Sequence, residues 1–349
     1  MAHKTQAENE AYWINRQRKL FEEVEKDEQN AQKRLFENLK REETRLEKEI
    51  TAFYGKYANR DDVVEYRKLM VGADKATRDE IFERWDDFAK AHPEYAHLAP
   101  TRQSIYRLNR LQAEQESIRQ QLTEFSFREA QDVLDTMSQT ADRSFTAYCE
   151  ALSPHMASGR FNGNISIRFE DVGQRVSEHD VGYYVERMIQ GGGNSATVPT
   201  DAVSRLVEQR QKLAEYMNTD LARAFARGDS SARIVRDMAE RFDRVSKNDL
   251  YRLVYTENTH VMAETGASLA EQVSEKYDFV SYNDDKVCDL CMALQKGGPY
   301  RYEDRQAGVN FPPIHPFCRC STAPHMPSFE EWKNSQLGKY LDKFVEIYK

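Results

Sequence analysis

Four of the chain's five cysteines lie close together in sequence, along with one histidine. The stretch DDKVCDLCMALQKGG contains Cys288 and Cys291 as a CxxC motif, and the later stretch HPFCRC contains His315, Cys318 and Cys320. Two thiolates separated by two residues can bind one ion from a tight turn, and a second pair completes a tetrahedron. The pattern therefore predicts a Zn²⁺ knuckle held by four of these five residues. Cys288 and Cys291 are the firm pair. Cys318 and Cys320 are the favoured second pair, with His315 either replacing one of them or orienting the site through a hydrogen bond.

Three kinds of chemistry compete for this cluster. A structural zinc ion comes first, because every candidate ligand is a thiolate or an imidazole and a small, loop-rich segment needs a cross-link. Disulfides are the alternative if the mature particle lives in an oxidising medium. Zinc-deaminase catalysis is disfavoured, because its glutamate base belongs two residues after a ligand and none stands there. The isolated Cys149 is predicted to be a small buried hydrophobic residue.

The composition is that of a helix-rich globular protein. Of its 349 residues, 31% are charged, glycine and proline are sparse, and the formal net charge is -8. This negative balance argues against a protein whose main task is to coat nucleic acid, since that task depends on Lys and Arg at the phosphates. No apolar run is long enough to span a membrane, and MAHKTQAENEAYW lacks the apolar stretch of a signal peptide. We therefore expect a soluble protein made in the cytosol, without membrane contact.

Residues 1–150 are predicted to be helical throughout. Apolar side chains recur at helical spacing in the first part of this segment, at Leu35, Leu39, Leu46, Ile50, Phe53 and Tyr57. A second long helical pattern begins near Thr101 and places Ile105, Leu122 and Phe125 on one side. The two patterns together predict an N-terminal helical bundle or a long helical hairpin.

Two further segments are defined by their composition. In residues 151–200, Ile165, Ile167 and Phe169 alternate with polar residues as in a short strand, within an irregular linker. The stretch QGGGNSATVPTDA matches neither a P-loop nor a dinucleotide-binding turn, so we expect a linker there and no small-molecule substrate. Residues 328–349 are predicted to form an amphipathic C-terminal helix.

Residues 201–327 are predicted to be a small α+β domain that contains the zinc knuckle, which makes the whole protein mainly α. Asp229 or Ser230 is expected to cap one helix, and Ser246 with Asp249 to begin another through a capping box. Such a helix pair also permits a DNA-binding helix-turn-helix, although ordinary packing is commoner. The arginines that would then face phosphates are Arg233, Arg236, Arg241 and Arg244.

The order of these elements resembles the phage Mu F-like minor head proteins, also described as phage head morphogenesis proteins. The matching positions beside the five candidate ligands are Thr256, Glu257, Asp285, Gly297, Gly298 and Arg319. The resemblance covers roughly residues 200–325, and its Cys/His ending is the specific part. Tyr255 precedes Thr256, where the family often has arginine.

The resemblance implies a structural protein of the virion and not an enzyme. It implies a component present in few copies, which assembles near the portal during procapsid formation, with ejection alongside the DNA as a further alternative. The expected partners are the portal protein, a scaffold or the major capsid protein, with packaged DNA as a weaker candidate. The expected location is the head interior or portal vicinity, and the host cytoplasm during assembly. The rival interpretation is a nucleic-acid-binding or nuclease module of zinc-knuckle type.

Glu257 is predicted to be one half of a structural ion pair. A glutamate on a helix near a basic loop most often pairs with an arginine, and Arg319 is the favoured partner, with Arg301 as the alternative. Such a pair would tie the helix that carries Glu257 to the zinc knuckle.

Overall fold

The computed structural model describes residues 6–61, 63–157, 202–271, 274–281 and 287–325. The helices within these ranges are α1 (Gln6–Tyr57), α2 (Tyr66–Leu69), α3 (Lys75–Ala91), α4 (Arg102–Ile105), α5 (Arg110–Ala157), α6 (Ala202–Arg227), α7 (Ser231–Ala270) and α8 (Asp289–Gly297). Two 3-10 helices cover Pro93–Leu98 and Tyr302–Asp304. The strands are β1 (Lys276–Val280), β2 (Tyr300–Arg301) and β3 (Ser321–Pro324).

The predicted fold class is confirmed, because the described chain is mostly helical and carries one small antiparallel sheet beside the Cys/His cluster. Four predictions fall outside the described residues: the strand around Ile167, the glycine-rich linker, the C-terminal helix of residues 328–349, and the environment of the Cys149 side chain. None of the helices in the described ranges combines the length and apolar composition that crossing a bilayer requires.

The described residues form two compact units. Unit 1 contains those of residues 6–31, 133–157 and 252–325, and unit 2 those of 32–132 and 202–251. The boundaries fall inside α1, α5 and α7, so each unit is assembled from segments that are distant in sequence. The division into segments 1–150, 151–200, 201–327 and 328–349 stays a prediction.

Unit 1 is built around the sheet, whose strand order is β2-β1-β3. In β1, the side chains of Tyr277 and Phe279 are buried, which is the alternation that a half-buried strand requires. Ser321 at the start of β3 donates from Oγ to Oε1 of Gln17, at 2.8 Å across 304 residues of sequence. The same unit contains a cluster of buried apolar residues, which includes Trp13, Leu20, Tyr255, Met262 and Ala323.

Gly266 allows a close contact between α7 and Tyr148 of α5. The Tyr148 ring is buried and its hydroxyl donates to the carbonyl of Thr322 in β3, at 2.8 Å. A Cβ added at Gly266 would overlap the outer atoms of this ring. Glycine is therefore required here for packing, although it lowers helix propensity.

Replacing Gly266 by alanine should lower the free energy of unfolding by about 2–3 kcal/mol, because a rigid buried ring must move. Urea denaturation measures the change. The matched control is Gly55→Ala in α1, where an added Cβ meets nothing within 4 Å and the helix should gain slightly. Equal stability of the Gly266→Ala variant and the wild type would contradict the packing role.

Unit 2 contains a fully buried ion pair between α5 and α6. Arg210 donates from Nε and Nη2 to both carboxylate oxygens of Glu129, each at 2.6 Å, and both side chains are inaccessible to solvent. The third guanidinium nitrogen, Nη1, donates to Oγ of Ser246 at 3.0 Å. The two buried charges therefore compensate each other through a bidentate pair of hydrogen bonds.

The predicted helix start at Ser246 is wrong, because α7 continues through this position from Ser231 to Ala270. Ser246 is buried, and its hydroxyl accepts from Arg210 instead of capping a helix. No glycine or proline lies near Ser246 to interrupt the helix. Helix α7 begins directly after Ser230, which agrees with the cap predicted at Asp229 or Ser230.

Candidate metal centre

The CxxC motif lies at the beginning of α8. Cys288 is the residue before the helix, and its sulfur accepts from the backbone N–H of Cys291, at 3.4 Å. Thiolates are stabilised at helix N-termini, where backbone N–H groups point outward. The short turn thus brings the two sulfurs of the motif to the same place, as the spacing predicted.

The HPFCRC stretch forms a second turn, which α7 holds in place. The N–H of Cys318 donates to the carbonyl of His315 at 3.1 Å, and Phe317 between them has a φ of 60°. Non-glycine residues rarely adopt this left-handed conformation, so the turn must be fixed by its surroundings. One such contact comes from Thr259 of α7, whose hydroxyl lies 3.1 Å from the Cys318 carbonyl and 3.0 Å from that of Tyr255.

The five predicted ligands come together as two overlapping groups. Cys288, Cys291 and His315 form one group, and Cys291, Cys318 and Cys320 form the other, with the candidate ligand atoms of each within 4.8 Å of one another. Nε2 of His315 lies 3.4 Å from the sulfur of Cys288 and 3.5 Å from that of Cys291. Cys291 belongs to both groups and is therefore central. The choice of four ligands among the five stays a prediction.

His315 is oriented by a hydrogen bond to its own segment. Its Nδ1 lies 2.8 Å from the carbonyl oxygen of Pro316. A carbonyl can only accept, so this contact places the proton on Nδ1 and leaves the Nε2 lone pair directed at Cys288 and Cys291. Metal-binding histidines commonly have their tautomer fixed in this way. The geometry suits His315 as a ligand as well as an orienting residue.

The thiols differ in how readily they lose a proton. The hydrogen bond from the Cys291 N–H lowers the pKa of Cys288, and a hydrogen bond from Cys320 lowers the pKa of Cys318 to about 5. Burial raises the pKa of Cys291 to about 12, and donation to Cys318 raises the pKa of Cys320. Without a cation, the cluster therefore favours a thiolate at Cys318 and retains the protons on Cys291 and Cys320. A bound metal ion would supply the positive charge that allows the remaining thiols to ionise.

Apolar side chains enclose the cluster. Cys291, Cys318 and Cys320 pack with Phe279 of β1 and Ile314, all of them buried, and all four cysteines of the cluster are free thiols. The donor set, three buried sulfurs with one part-buried sulfur and one imidazole, fits a soft divalent ion such as Zn²⁺.

Several supporting residues had no signal in the sequence. A lone threonine on a helix shows no pattern, so Thr259 was not predicted to hold the second turn. Tyr300 donates from its hydroxyl to the carbonyl of Leu294 at 2.9 Å, and a side chain at Gly297 would meet this hydroxyl. The absence of a side chain at Gly297 thus allows Tyr300 of β2 to contact the end of α8. Asp285 lies outside the described residues.

The predicted ion pair of Glu257 remains to be tested. Glu257 lies on α7 and is only 5% exposed, so its carboxylate needs compensation. The alternative partner, Arg301, lies 2.7 Å from Glu303. A pair between Glu257 and Arg319 stays a prediction.

We expect Glu257→Lys to lower the free energy of unfolding by about 3 kcal/mol or more, because it leaves a buried charge without compensation. The charge swap Glu257→Arg with Arg319→Glu should recover a large part of the loss, as measured by urea denaturation. Glu303→Lys is the surface control, since Glu303 is largely exposed. If the double variant lost as much free energy of unfolding as its two single variants together, this pair would be excluded.

Comparison with known proteins gives one match, over the region that contains this centre. Residues 215–323 match the family model described as phage Mu protein F like protein. No curated protein and no solved structure matches the chain. The match includes all five candidate ligands and confirms the resemblance noted in the sequence. It suggests a phage head morphogenesis protein, and so a protein associated with the virion. Residues 215–323 of this chain are therefore a phage Mu F-like region.

Proposed function

We propose that this chain is a structural minor head protein of a tailed phage or prophage, which assembles near the portal during procapsid formation. The observation that carries the proposal is the family match, whose residues 215–323 enclose the whole Cys/His cluster. The family is structural, which agrees with a role in assembly and not in catalysis. The portal, a scaffold or the major capsid protein would be the partner, with ejection alongside the DNA as an additional possibility to test.

The zinc ion would have a structural role in this protein. Structural zinc sites are closed by four protein ligands, whereas catalytic sites keep a position open for water or substrate. Here the five candidate ligands form two groups that share Cys291, and three of the sulfurs are buried. The ion would join the turn before α8 to the turn before β3.

Elemental analysis tests the metal. Protein purified without reducing agent or chelator should contain about one zinc per chain. Its clustered cysteines should react with a thiol reagent only after chelation. Absence of metal, with four cysteines that become reactive only after reduction, would establish disulfides instead.

Assembly with and without the portal tests the role in the head. The chain is produced together with the capsid and scaffold proteins of its own phage, in the presence or absence of the portal protein, and particles are separated by sedimentation. We expect a few copies per particle, dependent on the portal. Co-sedimentation that does not depend on the portal would contradict the location, and absence from purified virions would contradict the minor head role.

The nucleic-acid alternative receives little support from the described surface of α7. Three of the four arginines that a helix-turn-helix would use are engaged with carboxylates: Arg233 lies 3.5 Å from Asp229, and Arg241 lies 2.6 Å from Asp220. Arg236 similarly lies 3.2 Å from Asp237. A titration with duplex DNA at two salt concentrations should therefore show weak binding. Tight binding with a steep salt dependence would favour the alternative.

A further inference from the structure

A cavity in unit 2 lies among α1, α3 and α5. It has a volume of about 260 Å³, and all its lining residues belong to unit 2. Exposed residues, among them Lys56 and Glu80, form part of the lining, so the cavity is reached from solvent. Its volume lies below the range of ordinary cofactor and drug sites, which begins at about 300 Å³. A single side chain or a similarly small molecule is the size that fits.

Glu114 of α5 lines this cavity and has an unsatisfied carboxylate oxygen. Its Oε1 atom is buried and has no hydrogen-bond partner. Burial and the neighbouring carboxylate of Glu49 raise the pKa of Glu114 well above its usual range, and Lys56 offsets this only in part. Buried polar atoms without a partner are uncommon in folded proteins and call for an explanation, one of which is a ligand.

The cations around the cavity are engaged with other groups. Arg84 donates from Nη1 to Oγ of Ser117 at 3.2 Å, and that hydroxyl in turn donates to Glu49. Nη2 of Arg84 is buried without a hydrogen-bond partner and lies 3.9 Å from Glu124. Arg110 donates from Nη1 to the carbonyl of Lys68 at 3.1 Å and lies over the ring of Tyr57.

Lys56, the third cationic residue of the lining, pairs with Asp74, whose carboxylate lies 3.4 Å from its Nζ. Glu114 therefore lacks a close positive partner, although three cationic residues line the cavity.

The remaining lining indicates the chemistry of the missing partner. Phe53, Ala73, Ile81 and Ala113 present buried apolar surface. Apolar walls with carboxyl groups suit a cation on an aliphatic stem, whose methylenes bury while its charged end reaches the carboxylates. A bare Mg²⁺ or Ca²⁺ ion would instead make no use of this apolar surface, because it binds through oxygen ligands alone.

We propose that this cavity binds an organic cation, an ammonium or guanidinium group on an aliphatic stem, through Glu114 with Glu49 beside it. A lysine or arginine side chain of a protein partner carries this chemistry, and so does a free diamine. The site is distinct from the zinc centre, whose ligands belong to unit 1. The capsid role and the cation site can each be true without the other.

Thermal melting of the full chain with three probes tests the site. N-acetyl-lysine amide should raise Tm in a saturable manner, because it binds the folded state. N-acetyl-norleucine amide has a similar stem without the charge and should have no such effect. Putrescine distinguishes the sources: a larger saturable rise with putrescine than with the lysine probe points to a free diamine, and the reverse to a side chain of a partner.

Two variants locate the effect. Glu114→Gln should weaken binding of the cation by about ten- to hundredfold, because a charged hydrogen bond is lost. Glu83→Gln removes an exposed carboxylate of α3 that does not line the cavity and should leave binding unchanged. Glutamine resembles a protonated glutamate, so Glu114→Gln should fold at least as stably as the wild type without ligand. The proposal would be overturned if the lysine probe raised the Tm of Glu114→Gln as much as that of the wild type. It would also be overturned if the norleucine probe raised Tm as much as the lysine probe, or if Mg²⁺ alone raised Tm in a saturable manner.

Discussion

Replacing Cys291 by serine should abolish zinc binding and unfold the region around the small sheet of unit 1. Cys291 belongs to both groups of candidate ligands, so its loss leaves neither group of three intact. A structural zinc ion contributes on the order of 10 kcal/mol in small zinc domains, which is comparable to the whole stability of a domain. Zinc content, together with amide hydrogen exchange of β1 and α8, measures the result.

The control for this change is Cys149→Ser, which removes the one cysteine outside the cluster. It should retain one zinc per chain and normal hydrogen exchange. Single replacements of His315, Cys318 and Cys320 then identify the fifth, dispensable candidate, because its variant alone should keep stoichiometric zinc. A Cys291→Ser protein with full zinc content and unchanged melting would exclude the predicted centre.

Breaking the Arg210–Glu129 pair should produce the second largest loss of free energy of unfolding. Arg210→Met leaves the Glu129 carboxylate buried without its cation, and breaking a buried pair in this way costs about 3–5 kcal/mol. Combining Arg210→Met with Glu129→Leu should restore most of this loss, because apolar residues of similar volume replace buried pairs at little cost. Urea denaturation of the three variants gives the free energies of unfolding.

Arg233→Met is the matched control, because the Arg233 side chain is 55% exposed and its contacts with Asp229 and Asp237 are longer, at 3.5 and 3.7 Å. Exposed pairs contribute at most about 1 kcal/mol, so this variant should remain nearly as stable as the wild type. If Arg210→Met proved as mild as the control, or the double variant as unstable as the single one, Arg210 would stabilise unit 2 by another means.

The sequence was sufficient for features that depend on local residue patterns. The Cys/His cluster was predictable because metal ligands are chemically distinctive and two of them are spaced by a turn. The helices were predictable because apolar residues such as Leu35, Leu39 and Leu46 recur at helical spacing, and all three are buried.

Features that depend on distant contacts could not be predicted in this way. The hydroxyl of Ser246 resembles a helix cap in sequence, but Arg210, 36 residues away, uses it inside a continuous helix. Glu129 and Arg210 are 81 residues apart, and nothing in their local sequence indicates that they meet. Strand β2 is only two residues long, which is too short for a periodic signal.

The hydrogen bond between Ser321 and Gln17 also has a consequence for how the chain is made. A ribosome adds about 5–20 residues per second, so Gln17 waits roughly 15–60 seconds before Ser321 has been synthesised, 304 residues later. During this time Trp13 and Leu20, which are buried in the finished protein, lack part of their covering. The nascent N-terminal helix is therefore a segment that chaperones would bind until β3 has been synthesised.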